Sequence, residues 1–257
     1  MNPSISIILT TYNRPGLIKE SIASILCQTY SDFELIVIDN FSEYDFFELI
    51  QGFNDIRIKP FQKANKGIIA VSRNYGIELA TGEFIAFCDD DDLWEPTLLE
   101  EQIQVMRKNL NVALSCTASS FINNPVKKSF AGECLSSANR FFLSLNIIPA
   151  KYVLLWITFI TNSSVVFRKS IVQDIGFISE DPAINTILDY DYYLRISLKY
   201  RIFYLNKKLV QYRFHEQQVS DVDISKTHQK TTKVVLAHWD QLDILQKRIF
   251  RIVGIFK

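Results

Sequence analysis

The sequence predicts an α/β protein in which a mostly parallel sheet is flanked by helices. Strand-like apolar runs alternate with helix-period segments through the first hundred residues, and the period repeats. A hydrophobic content of 48%, with 13% aromatic, is enough for a substantial core. Four acids follow the apolar run Phe84 to Cys88, where open α/β sheets gather their ligands.

Ile5 to Leu9 is the first strand, Leu17 to Leu26 has helical spacing, Leu35 to Ile38 is a second strand, and Phe46 to Ile50 a second helix. Ile56 to Ile58 fits a short third strand, Ile68 to Leu79 a third helix and Phe84 to Phe87 another strand. Pro96 stands in the favoured first turn of a helix continued by Leu98 to Leu110, and Val112 to Cys116 reads as the next strand. Residues 118 to 140 are polar and mixed, with Asn123-Asn124-Pro125 a turn and Lys127-Lys128 exposed, which predicts a loop or variable lid. Ser163 to Phe167 then reads as a strand, Lys169 to Ile175 as a short helix closed by Gly176, and Tyr190 to Leu198 as a helix. Residues 1–117 and 118–220 are expected to form two halves of one domain, with 221–257 a helical tail.

Asp89 to Asp92 are closed off by Leu93-Trp94-Glu95-Pro96. Adjacent like charges repel and each anion is costly to desolvate, so this cluster calls for a cation. Oxygen ligands suit Mg²⁺ or Mn²⁺, which commonly bridge a protein carboxylate to substrate phosphates. An isolated Asp run is about as often a solvated turn; its place behind a buried strand favours the metal. A calcium loop beginning at Asp89 would put Glu100 at its twelfth position, but Leu93 and Trp94 stand where it needs an oxygen ligand and a glycine.

Lys plus Arg equals Asp plus Glu at 28 each, so no overall field draws nucleic acid. Cys27, Cys88, Cys116 and Cys134 form no C-x-x-C pair, which predicts reduced, mostly buried thiols and a cytoplasmic protein. The N-terminus lacks the basic start of a signal peptide. Phe141 to Ile160 approaches the length of a membrane helix, but Asn146, Pro149 and Lys151 interrupt it, which favours a buried helix or a monolayer-facing surface. Ile244 to Lys257 interleaves apolar residues with Lys247, Arg248, Arg251 and Lys257 and holds no acid. It suits peripheral contact with the cytoplasmic face of an anionic inner membrane or, equally, plain docking.

Several runs together resemble the inverting glycosyltransferases of family 2, with the GT-A (nucleotide-diphospho-sugar transferase) fold. They are Ser6-Ile7-Ile8-Leu9-Thr10-Thr11-Tyr12-Asn13-Arg14, Ser24-Ile25-Leu26-Cys27-Gln28-Thr29-Tyr30, Phe33-Glu34-Leu35-Ile36-Val37-Ile38-Asp39, Asn65-Lys66-Gly67, Arg73-Asn74-Tyr75-Gly76 and Ala80-Thr81-Gly82-Glu83-Phe84-Ile85. With the acid cluster they cover roughly the first hundred residues in the family's order. Further on, Asp189-Tyr190-Asp191-Tyr192-Tyr193-Leu194-Arg195 and Tyr212-Arg213-Phe214-His215, followed by Ser220, resemble its later segments; residues 118 to 160 and 221 to 257 match nothing specific.

The resemblance implies transfer of a hexose or related sugar from a nucleotide-diphospho-sugar, UDP-linked first, to a glycan acceptor. The apolar stretch Phe141 to Ile160 and the basic tail further suggest that the acceptor is linked to a polyprenyl diphosphate, as in bacterial O-antigen or capsule assembly. The first half would hold the donor and the second the acceptor and the base. Within the family's D-x-D element Asp91 would ligate Mn²⁺ or Mg²⁺ directly, Asp89 would contact ribose or the metal through water, Asp90 would be an understudy and Asp92 structural. The strand end Thr10-Thr11-Tyr12 would receive the nucleotide, with Thr10 contacting it by hydroxyl or backbone and Tyr12 stacking on its base, and Asp39 would accept from a pyrimidine N–H. Asn40 stands where many relatives carry a second aspartate, which leaves thymidine as an alternative to uridine. Arg73 would reach the diphosphate and His215 lie near diphosphate or metal. Asp189 would be the catalytic base, with Asp191 its rival, and Leu188 departs from the family's second acid. A dehalogenase-type phosphatase would want Thr or Val at Leu93. A nucleotidyltransferase would need a glycine-rich basic loop after the first strand, and a non-catalytic nucleotide-sugar-binding module would leave both acid sites idle.

Overall fold

The computed structural model describes residues 3–122, 149–155, 159–215 and 224–255. Among them eight strands form one sheet: β1 (Ile5–Thr11), β2 (Phe33–Asp39), β3 (Ile58–Gln62), β4 (Phe84–Asp89), β5 (Leu93–Trp94), β6 (Val112–Ile122), β7 (Val165–Arg168) and β8 (Arg201–Arg213). They lie side by side in the order β3-β2-β1-β4-β7-β6-β8-β5. Four of the seven pairings are parallel, namely β1 with β2, β1 with β4, β2 with β3 and β6 with β8. β7 runs antiparallel to β4 and β6, and β5 to β8. The sheet is thus parallel in its first half and mixed beyond.

The helices are α1 (Pro15–Leu26), α2 (Phe46–Gln51), α3 (Ile69–Leu79), α4 (Leu98–Lys108), α5 (Ala150–Val153), α6 (Val172–Ile175), α7 (Leu188–Lys199), α8 (Ile224–Ala237) and α9 (Ile244–Ile255). Successive strand side chains face opposite sides, so β1 and β2 each feed two cores. Ile8, Ile36 and Ile38 pack with residues of α3 and α7 on one face, and Ile7, Leu9, Leu35 and Val37 with α1, α2 and α4 on the other. Burial on both faces is why these strands read as unbroken apolar runs.

Several expectations shift. The third strand is Ile58–Gln62, not Ile56 to Ile58, because Ile56 is 97% exposed in the preceding turn. Pro60 is tolerated there because β3 is an edge strand. Pro96 lies ahead of α4, whose N-cap is Thr97, and the helix stops at Lys108. Glu100 and Glu101 in its first turn and Arg107 and Lys108 in its last complement the helix dipole. Residues 118–122, expected in a loop, continue β6, which spans the boundary set after residue 117; the rest of the predicted lid, 123–140, lies outside the described residues. Ser163 and Ser164 form a 3₁₀ turn before β7. β5 and the thirteen-residue β8 were not foreseen.

Cys88 and Cys116 are buried, Cys27 is exposed against expectation, and Cys134 lies outside the described residues. Of the apolar stretch Phe141 to Ile160, residues 141–148 and 156–158 also lie outside them. Ala150, Val153, Leu154, Leu155, Phe159 and Ile160 are buried in the core, so the described part is not a lipid-facing surface. Among the described residues no helix is long and apolar enough to cross a membrane.

At the amino edge of the sheet, Glu34 accepts from Ser6 Oγ at 2.6 Å, Thr81 N–H at 2.8 Å and Lys59 Nζ at 2.5 Å. Burial alone would raise its carboxyl; these donors outweigh that and hold it at about 2. Gly82 completes the node, donating its N–H to Ser6 Oγ at 2.9 Å. A Cβ on Gly82 would meet the Ser6 nitrogen at 2.7 Å and the Ile5 carbonyl carbon at 2.8 Å. Backbone cannot yield as a side-chain tip can, so Gly82→Ala is expected to cost about 1–3 kcal/mol, read as a lower urea midpoint at unchanged m-value.

Candidate active site

Parallel pairing brings the carboxyl ends of β1, β2 and β4 to one edge, with Thr11 opposite Asp39 and Thr10 opposite Asp89. The acids follow directly from β4 and meet side chains from five other parts of the chain. Asp89 Oδ1 accepts from Arg73 Nη2 on α3 at 2.7 Å and from Asn162 Nδ2 at 2.9 Å. Asp90 takes Thr11 Oγ1 at 2.7 Å and Arg14 Nη1 at 2.8 Å. Asp91 Oδ2 lies 3.0 Å from the same Arg14 nitrogen and 2.8 Å from His215 Nε2, just beyond β8. Asp92 is fully buried, with Ser163 Oγ at 2.5 Å and the Arg213 N–H at 3.1 Å.

Burial raises the carboxyls of Asp90, Asp91 and Asp92. Asp90 reaches about 6, the pull of Arg14 notwithstanding, and Asp91 is pushed further by the charge of Asp89. The cluster is short of positive charge. Among the described residues no three His, Cys, Asp or Glu side chains converge to hold a metal unaided. A carboxylate oxygen and an imidazole nitrogen at 2.8 Å nevertheless fit a divalent ion that completes its shell with substrate phosphates and water.

Asp189 sits in the first turn of α7, partly buried, its Oδ1 accepting from the Tyr190 N–H at 2.8 Å. Burial raises its carboxyl, the positive charge of Arg73 opposes this, and the negative charge of Asp89 adds to it. Asp189 therefore shares an electrostatic environment with the acid cluster exactly one hundred positions earlier in the chain. Asp191 does not: it pairs with Arg195 Nε at 2.9 Å and His238 Nε2 at 3.0 Å. Burial would raise Asp191, but His238 and Arg195 outweigh it and lower its pKa.

The other predicted residues divide. Arg73 is buried and ion-paired rather than solvated. Tyr12 is 51% exposed just past β1. Asp39 is fully buried, with Ser42 Oγ at 2.5 Å on Oδ1, and the Ser42 N–H and Gln62 Nε2 each at 3.0 Å on Oδ2. Asn40 Oδ1 accepts from the Asn65 N–H at 2.9 Å, so the amide oxygen expected to read the base is already engaged. Thr10 is buried, and its neighbour Thr11 makes the contact to the acids. Sequence reasoning gave no role to Arg14, Asn162 or Ser163, and set Thr11 at the nucleotide without its bond to the acids. Arg14 and Thr11 lay within the first matching run; for Asn162 and Ser163 no signal was available. Phe41, 58% exposed with a φ of 58°, stands two residues past β2 at the same edge as Tyr12 and was likewise unforeseen.

The profile of Glycosyl transferase family 2 matches residues 6–176. An Escherichia coli relative, UDP-Glc:alpha-D-GlcNAc-diphosphoundecaprenol beta-1,3-glucosyltransferase WfgD, is 39% identical over 120 residues, 47% of each chain. Matches to two Rickettsia glycosyltransferases and to WfgD span 23%, 20% and 47% of those relatives' lengths. Among solved structures, S. aureus TarS 1-349 in complex with UDP-GlcNAc superposes with a TM-score of 0.66 at 16% identity, covering 97% of this chain and 79% of that one. The mannosyltransferase PcManGT from Pyrobaculum calidifontis, in complex with GDP-Man and Mn²⁺, gives 0.63 at 13% identity, covering 100% and 81%. At those identities the structures speak to the fold alone, and the profile, which takes in β1 through β7, speaks to the family. The chain belongs to glycosyltransferase family 2 and has the GT-A fold.

Proposed function

We propose that the chain transfers a sugar from a nucleotide-diphospho-sugar, a UDP-sugar first, to a glycan acceptor with inversion at the anomeric carbon. The observation that carries this reading is that Arg73 pairs with Asp89 while its charge also acts on Asp189, which puts the two acid sites within electrostatic reach of each other, whereas Asp191 is committed to Arg195 and His238. Asp189 then takes the proton of the attacking acceptor hydroxyl, a task suited to a carboxylate whose pKa burial has raised. Single displacement inverts the centre.

Asp91 and His215 are the residues that would hold Mn²⁺ or Mg²⁺, with Asp89 beside them, and Arg73 would face the diphosphate. Bound there, the ion would neutralise charge developing on the departing β-phosphate. WfgD, whose name specifies UDP-Glc, supports a UDP donor, and PcManGT in complex with GDP-Man and Mn²⁺ is an example of this fold carrying a donor and a metal together. Tyr12, exposed just past β1, would stack on the base, with Thr10, Asp39, Asn40 and Asp90 also contacting the donor.

The acceptor in this reading is linked to a polyprenyl diphosphate, in O-antigen or capsule assembly. WfgD, whose name specifies a diphosphoundecaprenol-linked acceptor, supports it. So does α9, where Ile244, Leu245, Arg248 and Arg251 are exposed and suit peripheral contact with an anionic membrane surface.

The test is Mn²⁺-dependent transfer from a panel of UDP-, GDP- and dTDP-sugars to a polyprenyl-diphosphate-linked saccharide. One donor is expected to be used, with turnover abolished by chelator and restored by Mn²⁺. Absence of metal-dependent binding to every donor would favour the non-catalytic binding module.

A further inference from the structure

Arg14 joins β1 to α1, between Asn13, which takes a left-handed φ of 52°, and Pro15, which starts the helix. Its backbone is therefore fixed. Its side chain is 14% exposed, and one nitrogen, Nη1, bridges Asp90 Oδ1 at 2.8 Å and Asp91 Oδ2 at 3.0 Å. Burial opposes the guanidinium charge, but Asp90 and Asp91 outweigh burial and raise its pKa. The bridge is a built-in counter-charge for the two middle acids.

The Asp91 oxygen that Arg14 uses is the one His215 Nε2 also touches. A Mg²⁺ or Mn²⁺ ion held by Asp91 would be repelled by a guanidinium nitrogen 3.0 Å from an oxygen of the same carboxylate. Cation and guanidinium compete for one carboxylate. The other arginines are placed differently: Arg73 donates to Asp89, and Arg213 to the Asp91 carbonyl and to Glu20.

We infer that Arg14 and the divalent cation are alternative partners of Asp91, and that Arg14 turns to the donor's diphosphate when the cation takes the carboxylate. This rests on the metal reading proposed above. A guanidinium offers a planar fork that matches phosphate oxygens, and only its side-chain torsions need change. The exchange makes metal and donor mutually dependent. Mn²⁺ alone must break a shielded ion pair, whereas with UDP present the displaced arginine gains a new anion. By linkage, UDP and Mn²⁺ strengthen each other's binding by the same factor.

The test measures Mn²⁺ binding from the free-ion EPR signal, with and without UDP, for wild type, Arg14→Gln and Arg14→Lys. In wild type UDP is expected to tighten Mn²⁺ binding about tenfold or more. Arg14→Gln should bind Mn²⁺ alone about tenfold tighter and show an enhancement by UDP about tenfold smaller than that of wild type, what remains coming from the phosphates that complete the ion's shell. Arg14→Lys, which keeps the charge but not the fork, should keep the weak binding of Mn²⁺ alone and show a similarly reduced enhancement. If folded Arg14→Gln binds Mn²⁺ no tighter than wild type, the exchange is overturned and the metal reading stands. Lysine matching wild type in both respects overturns the hand-over to phosphate, which holds even should the glutamine variant not fold. No Mn²⁺ binding by any form, with or without UDP, overturns the exchange and the metal reading together.

Discussion

Substituting Asp189 by asparagine is expected to lower kcat by about 10³-fold, the middle of the range for general-base removal, with UDP affinity changed less than about twofold. Asparagine keeps the shape and still accepts from the Tyr190 N–H, so the start of α7 is preserved. What it loses is the capacity to take a proton. Because burial and Asp89 raise the carboxyl while Arg73 only partly opposes them, the acid limb of the wild-type rate profile should lie above the ordinary carboxylate range. Below that pKa the base is protonated and the rate falls; in the asparagine variant the limb should vanish. Asp191→Asn is the control. It would weaken the contacts with Arg195 and His238 and lower the melting temperature, leaving most of the turnover. If Asp191→Asn gives the thousandfold loss and Asp189→Asn does not, the roles exchange.

Asp91→Ala should abolish Mn²⁺-dependent donor binding and lower kcat/KM by about 10²–10³-fold, since a Lewis acid supplies several kcal/mol of charge stabilisation. It should do so without loss of stability. A raised folded-state pKa means that the folded chain binds protons more tightly than the unfolded chain, so ionisation of such a group costs stability as pH rises through the shifted range. For Asp90 that window runs from its ordinary value up to about 6, and Asp91 is raised in the same direction. Above that window ionised Asp90 costs the fold stability, and ionisation of Asp91 costs it in the same direction. Removing one charge should leave the melting temperature equal or higher, as at sites where function is kept against stability. A fall of several degrees, measured by calorimetry, would instead mark Asp91 as a structural acid like its neighbour Asp92.

How legible each part was in the sequence follows from how it is buried. β1, β2 and β4 are covered on both faces, so their apolar runs could be read directly. β8 escaped because its middle is exposed: Asn206, Lys207 and Lys208 interrupt any apolar pattern, and its pairing with β6 slips register near that point. β3 was misplaced because Ile56 is apolar yet almost wholly in solvent. At the site, the acids announced themselves by repulsion, and the resemblance located Asp189 and His215. Their partners did not show. Arg14, Thr11, Asn162 and Ser163 are ordinary residue types whose contacts exist only after chain closure over separations of up to 79 positions. The choice between Asp189 and Asp191 also needed three dimensions, since two positions apart on a helix is just over half a turn and puts the two acids on different faces.

β8 pairs with β6 along one side and holds Leu93–Trp94 along the other, while its end presents Arg213 to Asp92 and leads to His215 beside Asp91. The acid-bearing turn is thus a pin through which the parallel first part of the sheet and β8 are fastened. Evolution or engineering cannot treat the halves as interchangeable cassettes. A chimera joining residues 1–117 to a relative's second half would inherit a working pin only if that half brings its own equivalents of Asn162, Ser163, Arg213 and His215. New acceptor specificities should therefore arise more readily by remodelling loops around this joint than by exchanging what lies beyond it.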